Sequence, residues 1–143
     1  NVKLRPTILD KMKPGTRVVS HAFTMGEWRP DNQDVIDNEA LYFWVVPAKV
    51  SGAWEWKIGA EDYRVDLAQK YQVVTGTLHG PAGQSQLINT VLKGEDLRFD
   101  ASVSRDGVPT VMHFVGKLNG DTLAGRIDFA GLQRTKITAV RPN

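Results

Sequence analysis

Cysteine is absent from this 143-residue chain. That excludes a disulfide, a thiol nucleophile and any zinc site built on thiolates, and it leaves the redox compartment open. Long apolar runs are missing too. Nothing approaches the roughly 20 consecutive apolar residues that carry a helix across a bilayer, so no membrane span is expected. No secretory signal peptide opens the sequence. Asn1 stands where an initiator methionine would, which points to a processed or truncated N-terminus, and a cytoplasmic and an exported location both stay open. Charge of one sign is scarce: 18 Lys and Arg against 16 Asp and Glu leave a net +2. The signs alternate along the chain without a basic run, so no nucleic-acid partner is expected. Nucleophile-elbow, zincin, phosphate-loop and dinucleotide fingerprints are all missing. His79 and His113 stand alone in sequence, and no metal site is expected. Asp34, Asp37 and Glu39 lack the glycine and the bidentate-glutamate spacing of a calcium loop.

What is present begins with a short helix. In Asn1–Met12, Leu4, Ile8 and Met12 recur at helical spacing with Leu9 beside them. Pro6 fits its first turn, Lys11 and Lys13 suit its C-terminus, and Pro14-Gly15 stops it. The spacing predicts a strand over Arg17–Phe23, then a polar, turn-rich loop over Gly26–Ala40.

From Leu41 the chain reads as strands. Leu41–Pro47 is aromatic and β-branched, and Trp54 and Trp56 alternate with charged neighbours. The cleanest period-2 pattern sets Leu97, Phe99, Ala101 and Val103 against Arg98, Asp100 and Ser102. Turn chemistry punctuates every junction, and Asn119-Gly120 reads as a two-residue type I′ hairpin. About eight short strands between Trp54 and Arg141 predict an antiparallel up-and-down barrel or a curved sandwich. The chain divides on this reading into residues 1–40, a short helix and one strand of an α/β sheet plus the polar loop, and residues 41–143, the β domain.

The stretch Lys13–Asp31, KPGTRVVSHAFTMGEWRPD, resembles the fifth core strand and following loop of bacterial class I S-adenosylmethionine-dependent methyltransferases. The later pattern of G-x-W, L-x-Q, V-T-G-T and F-x-G resembles small lipocalin-like barrel modules. The first resemblance implies that this chain is the C-terminal portion of such an enzyme. Its glycine-rich cofactor loop lies earlier in the fold, so no S-adenosylmethionine is expected to bind here and no catalytic residue is assigned. Its partners would be the missing N-terminal methyltransferase core or a second copy in a homodimer, because the short helix and lone strand need burial from somewhere. His21 ends the Arg17–Phe23 strand, where open α/β sheets place ligands. With Met25 and Trp28 it forms the substrate-binding candidate set, although a hydrogen-bonded strand end and a core tryptophan explain the same residues. The family wording S-H-D-F-D-M-G-D-W has carboxylates where Ala22 and Thr24 stand here. A small-ligand-binding barrel is the alternative, with a pocket lined by Trp54, Trp56 and Phe99. Against it stands the fact that an eight-stranded barrel is filled by its own side chains.

Overall fold

The computed structural model describes residues 2–131 and 134–142. Among the described residues one helix, α1 (Arg5–Lys11), precedes twelve strands. A three-stranded sheet comprises β1 (Arg17–His21), β2 (Asn32–Ile36) and β3 (Glu39–Val45), in the order β1-β3-β2. The remaining strands are β4 (Gly52–Ile58), β5 (Glu61–Lys70), β6 (Val73–Gly80), β7 (Gly83–Gln86), β8 (Ile88–Lys93), β9 (Asp96–Arg105), β10 (Val108–Asn119), β11 (Thr122–Phe129) and β12 (Arg134–Val140). They form one antiparallel sheet in the order β7-β6-β5-β4-β12-β11-β10-β9-β8.

This large sheet folds over on itself as a curved sandwich. Alternation explains why: on β9, Leu97, Phe99 and Ala101 are buried while Arg98 is exposed, so each strand has one face to hide. Inward faces of β4–β6 meet those of β8–β12 in a core of Trp54, Trp56, Tyr63, Val65, Phe99, Phe114 and Ile127. Closure into a barrel does not follow. The join between β4 and β12 rests on the single pair Val140↔Glu55, and β7 lies beside β9 with no ladder between them. The ninth strand is β7, whose sequence GQSQ carries no apolar alternation to announce it.

Three sequence expectations are corrected. Gly26–Ala40 is not all loop, since β2 pairs with β3 through a hairpin whose central residues Asp37 and Asn38 have φ of 52° and 66°. Asp and Asn are the non-glycine residues that tolerate this left-handed geometry. Every residue of β2 is exposed, which leaves no burial pattern to read. In the later hairpin, Asn119 pairs with Thr122, so the turn is Gly120-Asp121 and not Asn119-Gly120. Gly120 has φ +63°, the positive first central position of a type II′ turn. The helical stripe is narrower than its spacing suggests: Ile8 is buried, whereas Leu4 and Met12 are 57% and 47% exposed.

The sheets divide at residues 46–51 rather than at residue 40, because β3 pairs with β1 and β2. The crossing segment is buried at Val46, Pro47, Ala48 and Val50, so its backbone needs partners. Gln69 supplies them, accepting from the Val50 amide and donating to the Ala48 and Tyr71 carbonyls, each at 2.8 Å. A second core of Ile8, Met25, Trp28, Trp44 and Val46 then seats α1 and the small sheet against Tyr71, which lies in the β5–β6 turn. Ile8 of the helix is thus packed from within the chain and Val18 of β1 partly so, while no residue of β1 is fully buried.

Candidate functional site

The sequence candidates do not converge. His21 ends β1 on the exposed side, its side chain 56% accessible, and pairs with Glu39 of β3. Met25 and Trp28 are 2% and 0% exposed. They form a tight bridge that faces the core. Trp28 stacks on Tyr71 with ring centroids 6.2 Å apart and lies 6.0 Å from Trp44, whose indole donates to the Trp28 carbonyl at 2.9 Å. Arg5 donates to the Met25 carbonyl at 3.0 Å. These two residues pin the loop after β1 onto the sandwich, and Tyr71 accepts a positive φ of 57° to reach them.

Trp54, Trp56 and Phe99 sit inside the sandwich at 0%, 5% and 1% exposure. Phe99 stacks on Phe114 at 4.7 Å and Trp56 on Tyr63 at 5.7 Å. The interior is filled by these rings, so a ligand there would have to displace them.

Two of the open places adjoin these residues. One is the end of the sandwich away from the Tyr71 turn, where the gap between β7 and β9 forms a cleft of about 340 Å³ lined by Tyr63, Leu78, Ser85, Val103 and Ser104. Arg105 donates to the Tyr63 hydroxyl at 3.3 Å and to Glu61 at 3.4 Å, and its guanidinium lies 3.8 Å over the Phe129 ring. Burial and the Glu61 carboxylate push the Tyr63 phenol above its ordinary value, with Arg105 opposing them. The phenol therefore stays protonated at neutral pH and can donate or accept a hydrogen bond. Sequence reasoning passed over Arg105, though a signal was there: it continues the inward register Leu97, Phe99, Ala101, Val103, where a cation is out of place.

The other open place is the free edge of β1. Among the described residues β1 pairs only with β3, and beside it Val19 and Phe23 are 58% and 62% exposed. Such an edge presents unpaired amides and carbonyls to whatever comes next.

All three histidines face carboxylates: His21 meets Glu39, His79 lies 2.9 Å from Asp66, and His113 lies 2.6 Å from Asp100. Burial raises the Asp100 carboxyl, but hydrogen bonds from Asn89 and His113 and the charges of His113 and Arg98 outweigh it, leaving the group below its ordinary value. These are separate pairs on outward strand faces, and no group of three or more metal-ligating side chains is assembled among the described residues. Nor is any helix among them long and apolar enough to cross a membrane. No family model, curated protein or solved structure matches this chain.

Proposed function

We infer that this chain is the non-catalytic C-terminal portion of a class I S-adenosylmethionine-dependent methyltransferase, with the small sheet continuing the enzyme's α/β sheet and the sandwich shaping its substrate side. The observation that carries this reading is the free edge of β1, with Val19 and Phe23 exposed beside it. Doubly wound sheets are mostly parallel and commonly carry an antiparallel strand at an edge. In β1-β3-β2 the middle strand runs antiparallel to both neighbours, so β1 and β2 are parallel and both lie at edges. The resemblance carried by Lys13–Asp31 selects β1 as the one at which a parallel sheet would extend.

The residues present do not form the cofactor's cradle. That cradle needs a glycine-rich turn leading from a strand into a helix N-terminus, whereas α1 precedes β1 and is only seven residues long. Calorimetry tests the reading. The chain alone should give no saturable heat with micromolar S-adenosylmethionine, and the protein translated with its in-frame upstream segment should bind it. Binding by the chain alone, or an upstream frame without a glycine-rich turn, would overturn the reading.

The free edge favours one further arrangement, a homodimer in which two β1 strands pair across a two-fold axis. Light scattering distinguishes it, since a dimer that persists in the extended protein would show that β1 pairs with its own copy instead of a methyltransferase core.

A further inference from the structure

Basic residues far apart in the sequence meet on the outer face of the sandwich. Register places Arg98 across from Val115, Val115 across from Arg126, and Arg126 across from Lys136. This row crosses four adjacent strands. Lys117 lies one step along β10, and with Val115, Arg126, Lys136, Asp96 and Thr138 it lines a shallow depression of about 440 Å³. The glycine pair Gly116↔Gly125 forms its floor. A Cβ on Gly125 would fall 2.2 Å from the Val115 carbonyl oxygen, so only glycine lets β10 and β11 approach this closely.

What marks this face is that its unpaired cations are neighbours on adjacent strands. Several other surface cations meet carboxylates: Lys49 with Asp10, Lys57 with Asp62, Lys70 with Glu27 and Arg64 with Asp66. Among the described residues Arg98, Lys117, Arg126 and Lys136 form no ion pair within 4.0 Å and no side-chain hydrogen bond. Arg126 and Lys136 are directly opposite, which is unfavourable in an antiparallel sheet. Among the neighbouring acids, Asp96 lies directly opposite Lys117 on β9. Asp100 is held by Asn89 and His113, and Asp128 accepts from the Gly131 amide. Asp96 is the one carboxylate lining the depression, against three cations.

We propose that this depression binds a phosphate group, held by Arg126, Lys136 and Lys117, with the exposed Val115 against the apolar part of the molecule that carries it. Arg126 and Lys136 lie opposite each other on adjacent strands about 5 Å apart. Lys117 is diagonal to Arg126 at about 7–8 Å, within reach of long side chains converging on one doubly charged anion. The planar guanidinium of Arg126 can meet two phosphate oxygens at once, and the lysines add point charges. The site does not depend on the methyltransferase reading.

The test is a titration of the isotope-labelled full chain with inorganic pyrophosphate, read by amide chemical shifts. Saturable shifts are expected at Val115–Lys117, Ala124–Arg126 and Lys136–Thr138. In Arg126→Gln/Lys136→Gln the binding should weaken about tenfold or more, the loss of at least one charge-assisted contact. Lys49→Gln/Lys57→Gln removes the same charge elsewhere and should bind as the parent does. Absence of saturable shifts at these positions, or equal weakening in the control variant, would overturn the proposal. Sedimentation with phosphatidylcholine vesicles, with and without phosphatidic acid, identifies the source. Co-sedimentation that needs the acidic lipid and Arg126 with Lys136 assigns a lipid headgroup, and pyrophosphate binding without it assigns a soluble phosphorylated molecule.

Discussion

Asp100 shows how far a single side chain can be read. Its place in the outward register of β9 is visible in the alternation around it, but its partners Asn89 and His113 come from β8 and β10, and only the register brings them together. Asp100→Asn should cost about 1 kcal/mol at neutral pH through weaker hydrogen bonds to the former carboxylate. The pH dependence has a definite sign. A carboxyl depressed below its ordinary 3.8 in the fold contributes fully above that value and loses its contribution as pH falls through the depressed one. Urea denaturation should therefore separate the variant from the parent above pH 4 and bring the two together in stronger acid. A second residue-scale prediction concerns Gly120. Nothing lies within 4 Å of a Cβ built there, and φ is +63°, so Gly120→Val should be penalised by backbone strain alone, on the order of 1–3 kcal/mol. An unchanged denaturation midpoint would mean that the turn relaxes to another type. The glycine was legible as a turn residue, while its position within the turn was not, because Asn119-Gly120 and Gly120-Asp121 both satisfy hairpin preferences and the strand pairing decides between them.

Elements announce themselves only when they bury a face. β9 and β10 were legible because their apolar residues alternate, and α1 because Ile8 and Leu9 stand beside Pro6 and ahead of Pro14. β2 buries nothing and β7 is four polar residues long, so neither leaves a pattern. The same limit hid the basic row, since Arg98, Lys117, Arg126 and Lys136 lie on four strands and form no run in the sequence. Their juxtaposition makes a prediction about the sheet. Lys136→Glu replaces a like-charged cross-strand pair with Arg126 by an opposite one, so it should raise stability by about 0.5 kcal/mol while removing the pyrophosphate response. Thermal denaturation and the amide titration read the two effects separately. A variant that loses stability would show that Arg126 and Lys136 do not face each other as the register places them.

At the scale of the molecule, the β-rich fold was legible, and the sandwich was one of the two expected forms. The place of β3 was not. Its aromatic run looks like the start of the meander, yet Trp44 faces Trp28 and Ile8 in the second core. An apolar run shows that a strand is buried without showing which sheet buries it. His21 was singled out as the end of its strand and Met25 and Trp28 as part of the loop after it, and packing sends the latter two inward and His21 outward. Among the described residues the small sheet leaves two edges unpaired, one on β1 and one on β2, and the account turns on the β1 edge belonging to a larger sheet. Hydrogen exchange at Arg17–His21 tests it most directly, comparing this chain with the protein extended by its in-frame upstream segment. The account predicts that the outward-facing β1 amides exchange rapidly in the chain alone and become protected about a hundredfold or more in the extended protein, as an edge strand becomes an interior one. Equal exchange in the two proteins would contradict it.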